Sequence, residues 1–121
     1  KVETDASLVT LRVDESLYFA NARFLEDLIQ KRVTDTCAVK NVVLMFSAVN
    51  EVDYSALESL EAINHRLKDM SIGLHLSEVK GPVMDRLDRS HFIEGLNGKV
   101  FLSQYDAWAA LTLSSVSRAA E

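Results

Sequence analysis

One proline, four glycines and a single cysteine in 121 residues leave this chain short of what collagenous, low-complexity or disulfide-stapled proteins are built from. Cys37 has no second cysteine to pair with, so no internal disulfide framework exists. No basic-then-apolar stretch opens the chain as a secretion signal would, and the cytoplasm is the expected compartment. Long apolar runs are missing too: Val42 to Phe46 is an unbroken run of five, against the roughly 20 residues that span a bilayer. Basic charge is in deficit. With 13 Lys and Arg against 18 Asp and Glu the net charge is −5, the opposite of the footprint a phosphate backbone selects, so nucleic acid is not an expected partner. The first residue is Lys1 instead of Met, which reads as a piece of something longer. What is present, 48% hydrophobic and 26% charged residues, suits one domain with a core of its own over residues 1–121.

The pattern along the chain changes period repeatedly. Val9, Leu11 and Val13 alternate with Thr10 and Arg12 as a half-buried strand does. Asp14-Glu15-Ser16 reads as a turn and Leu17-Tyr18-Phe19 as a returning strand, which together predict an N-terminal β-hairpin. Phe24, Leu25, Leu28, Ile29 and Val33 then recur at helical spacing, with Asn21 as the N-cap. Asn41 to Phe46 lacks polar alternation, the mark of a strand covered on both faces. Leu57, Leu60, Ile63 and Leu67 form a second helical stripe; Ile72, Leu74 and Leu76 alternate with Gly73 and His75 in a further strand. Gly81-Pro82 starts a third helix with Val83 and Leu87 inward, ending near Ser90. Asn97-Gly98 marks a turn before a strand Val100 to Leu102, and Ser103 with Asp106 caps a last helix carrying Trp108 and Leu111. The fold class is therefore α/β: an N-terminal β-hairpin joined to a mostly parallel sheet of four to five strands, with about four helices and right-handed crossovers.

Catalytic signatures are absent. His65, His75 and His91 stand ten and sixteen residues apart on different elements, unlike zinc ligands. The chain has no Gly-x-x-x-x-Gly-Lys-Ser/Thr loop, no Gly-x-Gly-x-x-Gly and no Gly-x-Ser-x-Gly elbow. Cys37 has no activating base beside it in sequence and reads as a structural thiol. No catalytic residue, no metal and no cofactor are expected.

One segment carries a functional signal. Val49 to Glu58 joins the central strand to the second helix, and in open α/β sheets ligands and partners bind at the carboxyl ends of strands. Ser55 at the helix start would accommodate a phosphate on its hydroxyl, through free amides and the helix dipole. The plainer alternative is a capping box, Ser55-x-x-Glu58, with Asp53 turning the loop.

Strand, Asp-x-Ser-small-Leu, then amphipathic helix resembles the signature of the STAS domain, shared by anti-sigma-factor antagonists and the cytoplasmic tails of SulP sulfate and anion transporters. Here it reads Asp53-Tyr54-Ser55-Ala56-Leu57. Leu11 to Ala22, with Leu17-Tyr18-Phe19-Ala20-Asn21-Ala22 at its end, is similar to the opening of the transporter branch, and Val79-Lys80-Gly81-Pro82-Val83 matches the lead-in to the third helix. The resemblance implies a non-enzymatic regulatory domain on the cytoplasmic side of the cell (inner) membrane, partnered by a transporter membrane domain in the same chain. It allows a homodimer or a cytosolic regulatory protein as further partners. The implied interaction surface comprises Asp53, Tyr54, Ser55, Ala56, Ser77 and Lys80. In the antagonist branch the serine matching Ser55 is phosphorylated, which implies a second reading as a free-standing phosphorylation-controlled antagonist; nucleotide binding near Ser55 is a weaker third. Antagonists carry paired serines followed by Gly, whereas Tyr54 and Ala56 flank Ser55 here, a departure that fits the transporter branch better.

Overall fold

The computed structural model describes residues 6–35 and 38–120, with side chains as far as Thr112. The structural-thiol reading of Cys37 falls outside these residues. The order is β1 (Leu8–Arg12), α1 (Phe19–Asp35), β2 (Asn41–Met45), α2 (Tyr54–Asp69), β3 (Gly73–Ser77), α3 (Gly81–Arg89), α4 (Phe92–Gly95), β4 (Val100–Phe101) and α5 (Gln104–Ala120). The strands form one sheet in the order β1-β2-β3-β4, every pair parallel.

Side chains alternate across each strand, so the register decides what each face is made of. Val9, Leu11, Val42, Leu44, Leu74 and Leu76 join the main core, with Ala22, Leu25, Ile29 and Val33 of α1 and Leu57, Leu60, Ile63 and Leu67 of α2. The opposite face carries the row Thr10, Val43 and His75, aligned by the pairs Thr10↔Val43 and Val43↔His75. The C-terminal helix α5 covers that face: its Ala107 and Thr112 are buried, and Gln104 accepts from Ser77 Oγ at 2.7 Å and donates to Thr10 Oγ1 at 3.3 Å. The apolar β2 is thus buried on both sides, as its lack of alternation requires.

The expected N-terminal hairpin does not form. Val13 N–H instead extends the parallel ladder by donating to Met45 O, and Leu17 makes a parallel bridge to Val52. The reason is burial: Leu17 is 1% exposed under the loop that follows β2, a position that a strand returning along the outer edge of β1 would forfeit. Tyr18-Phe19 accordingly opens α1 instead of ending a strand. Asn21 does not cap that helix by position; it lies in the first turn, accepts from Tyr18 N–H at 2.7 Å and donates to Ser16 O at 2.6 Å. Phe24, expected in the buried stripe, is 69% exposed, because Ala22, Leu25, Ile29 and Val33 set a phase that turns position 24 to solvent. The one-turn α4 brings the helices among the described residues to five; its buried Phe92 follows His91, which takes a left-handed φ of 66°.

Candidate functional site

The loop Ser47 to Asp53 leaves the carboxyl end of β2 and is held from below by the segment that failed to become a strand. Ser16 Oγ accepts from Asn50 N–H at 3.0 Å and Glu51 N–H at 2.9 Å. Leu17 N–H donates to Glu51 O at 2.8 Å, and Asp53 N–H donates to Leu17 O at 3.1 Å. From the other side Lys80 Nζ donates to Asn50 Oδ1 at 2.7 Å, and Arg86 Nε to Val52 O at 3.1 Å. A loop so tied presents its exposed side chains in fixed positions.

Asp53, not Ser55, is the N-cap of α2: its Oδ1 accepts from Ala56 N–H at 2.8 Å. The Ser55–Glu58 capping box is therefore not made, since the helix starts two residues earlier than that reading needs. Among the described residues no protein group hydrogen-bonds the Ser55 hydroxyl, which is half-buried in a shallow groove with Phe19, Arg23, Glu26 and Glu58. Tyr54 beside it is 69% exposed, Phe19 57% and Tyr18 45%. The Tyr18 hydroxyl donates to Glu51 Oε1 at 2.6 Å, and that bond, with the carboxylate's charge, raises its pKa above the usual phenol value and keeps the proton in place.

Of the six residues expected to share a surface, the structure brings Asp53, Tyr54, Ser55 and Lys80 to it and buries the other two. Ala56 points into the core from the first turn of α2, fully covered. Ser77 is likewise 0% exposed, on the α5 face of β3 with its hydroxyl engaged by Gln104. Sequence reasoning did not single out Tyr18, Phe19 or Arg86, and it reached Asn50 and Glu51 only as part of the segment Val49 to Glu58. Tyr18, Asn50, Glu51 and Arg86 line an open cleft of about 380 Å³ between the loop and α3, with Pro82 and Val83 as its apolar wall. The signal for Tyr18 and Phe19 was adjacent aromatics at the start of a helical pattern, which a strand reading hid. The arrangement has exposed aromatic rings on a tied backbone, a hydroxyl with no partner among the described residues, and mixed charges. It has no group of three or more His, Cys, Asp or Glu side chains able to hold a metal among the described residues.

Comparison with known proteins places this geometry in a family. Residues 1–107 match the family model of the STAS domain. Over 117 residues the chain is 31% identical to sulfate transporter 3.2 of Arabidopsis thaliana, an alignment covering 88% of this chain and 18% of that protein. The chain thus spans less than a fifth of that relative's length. Its fold is similar to the SulP transporter STAS domain of Vibrio cholerae, with a TM-score of 0.77 at 17% identity over 96% of this chain and 88% of that one. A Thermotoga maritima protein provisionally assigned as an anti-sigma factor antagonist has a TM-score of 0.75 at 15% identity, covering 89% and 90%. With the family model matched over every element before α5 and the first turn of α5, the chain belongs to the STAS domain family.

Proposed function

We propose that this chain is a non-enzymatic regulatory and protein-interaction domain of a SulP-type sulfate or anion transporter, on the cytoplasmic side of the membrane and in one polypeptide with the membrane part. The carrying observation is that its curated relatives are sulfate transporters in which the matching segment is under a fifth of the length, so the rest of such a protein lies beside it. The chain offers contact, not chemistry: Tyr18, Phe19 and Tyr54 project from a loop and two helix starts that the hydrogen bonds above hold still. Exposed aromatics on a rigid base lose little entropy when a partner covers them. No helix among the described residues is long and apolar enough to cross a membrane, so transport itself is assigned to the rest of the polypeptide.

The test is sulfate uptake by cells expressing the whole polypeptide, with Phe19→Ala and Tyr54→Ala together and Tyr105→Ala, also exposed but on α5, as control. The reading expects the double variant to lower uptake or assembly severalfold while the control does not. Uptake and assembly equal to wild type in the double variant overturn it.

A second reading, a phosphorylation-controlled antagonist, is favoured by one observation. Ser55 is freed from capping by Asp53, so its modification would leave the helix start intact. Recovery of phosphate on Ser55 from cells, with Ser55→Asp abolishing binding of a cytosolic partner, would establish it over the first.

A further inference from the structure

His75 is the buried ionisable side chain that the proposed function leaves unused. It lies in the middle of β3 on the face covered by α5, 6% exposed, and both ring nitrogens are engaged. Nδ1 lies 3.0 Å from the Lys99 backbone nitrogen, and a peptide N–H can only donate, so Nδ1 must be unprotonated. The ring proton is then on Nε2, donated to Asn41 Oδ1 at 2.8 Å. One neutral ring in one tautomer thus ties β2, β3 and the approach to β4 together, with the Phe101 ring 5.7 Å away.

The surroundings leave no slack for another arrangement. A Cβ on Gly98 would collide with Leu74 O and come within 2.7 Å of His75 Nδ1, and one on Gly73 would come within 2.8 Å of Nε2. The segment before Lys99 is anchored separately: Asn97 accepts from Leu74 N–H at 2.9 Å, donates to Ile72 O at 3.1 Å, and its own N–H donates to Asn64 at 3.0 Å. Beyond that anchor the edge strand packs Val100 against the core but has few backbone bonds to the sheet. β4 pairs with β3 through two residues only, Val100 and Phe101, supplemented by Leu76 N–H donating to Lys99 O at 3.0 Å.

We propose that His75 is a proton-sensitive latch: a second ring proton on Nδ1 would face the Lys99 N–H, replacing a hydrogen bond by a donor–donor clash and releasing residues 99–101 from β3 while Asn97 holds. The surroundings of the ring oppose that second proton, so the latch opens only well below the ordinary histidine range. Burial disfavours a positive ring, and Lys99 then opposes it electrostatically. On the other elements packed against β3, β2 contributes Asn41 and Val43 and is preceded by an exposed Lys40. The ionisable side chains of α2, Tyr54, Glu58, Glu61, His65, Arg66, Lys68 and Asp69, lie exposed on its outer face. The first turn of α5 carries Tyr105 and Asp106, also exposed. No carboxylate among the described residues is in position to stabilise a charged imidazole. Release would uncover the outer backbone groups of β3, an unpaired edge of the kind that accepts an added strand.

The experiment is NMR on the 121-residue chain between about pH 7 and pH 3, following the His75 ring and the amides of Lys99, Leu76 and Leu44. Expected are a ring proton on Nε2 at pH 7 and a His75 midpoint well below the ordinary value. Protection of the Lys99 and Leu76 amides, corrected for intrinsic exchange, should drop about tenfold across the range while Leu44 keeps its own. In His75→Gln, which keeps a donor and an acceptor but does not titrate, the two edge amides should lose that pH dependence. A midpoint at the ordinary histidine value, or edge amides that track Leu44 throughout, overturns the proposal. Should His75→Gln fail to fold, the wild-type ring titration and exchange decide the matter on their own.

Discussion

Asp53 and Ser55 are two positions apart at the start of α2, yet one carries the helix end and the other does not. A cap must precede the helix in extended backbone with its side chain turned onto the first-turn amides; Asp53 satisfies both conditions, whereas Ser55 is already inside the helix. The expected outcome in chemical denaturation is that Asp53→Ala lowers stability by about 0.5 to 2 kcal/mol. Ser55→Ala should move it by less than about 0.5 kcal/mol, because no described protein partner is lost. Equal losses in the two variants would return the cap to Ser55. Gly98 behaves differently from both. It lies against the Leu74 carbonyl with no room for a methyl group, so Gly98→Ala should cost about 1 to 3 kcal/mol by displacing the turn before β4, readable in the same denaturation curves.

Among the elements, β2 and α2 are the pair on which the core depends. Leu44 on β2 and Leu60 on α2 are each 0% exposed and belong to one apolar cluster, so replacing either by Ala should cost about 2 to 5 kcal/mol through lost burial and a residual cavity. Denaturation midpoints unchanged by either substitution would contradict the packing described. These two elements were also the most legible in sequence, because their patterns are strong: an apolar run without alternation, and a stripe at helical spacing that the structure keeps at Leu57, Leu60, Ile63 and Leu67. Where the reading failed, a tertiary contact had outweighed a local pattern. Leu17-Tyr18-Phe19 has strand propensity, but burial of Leu17 against the loop after β2 and the clamp from Ser16 to Asn50 and Glu51 decide its conformation. The same contact sets Tyr18 and Phe19 beside the loop that carries Asp53, which is why these two aromatics were not singled out from sequence. Ala56 and Ser77 show the reverse error: each is adjacent in sequence to the surface and turned inward by the periodicity of its own element.

At the scale of the whole molecule the two faces of the sheet respond differently to acid. The main core is apolar, whereas the face under α5 contains His75, whose pKa burial and then Lys99 lower to about 4. A depressed histidine takes up its proton more readily when unfolded, so its contribution to stability is complete above the unfolded value near pH 6.5. It is lost as the pH falls toward about 4 and changes no further below that, a total of up to about 3 kcal/mol. Thermal melts should show the loss in that window and its disappearance in His75→Gln; a slope confined below pH 4 would assign acid sensitivity to carboxylates instead. The absence of a hairpin has a kinetic consequence as well. With every pair parallel, the partners Leu11 and Leu44 are 33 positions apart, Leu44 and Leu76 are 32, and Leu76 and Val100 are 24. No strand can zip onto its neighbour through a tight turn, so each pairing must wait for the closure of a long loop that its own helix shortens. Refolding should therefore be slow for a chain of this length. Its transition state should be organised around β2, α2 and β3, with Leu60→Ala slowing folding and substitutions in β4 acting on unfolding alone.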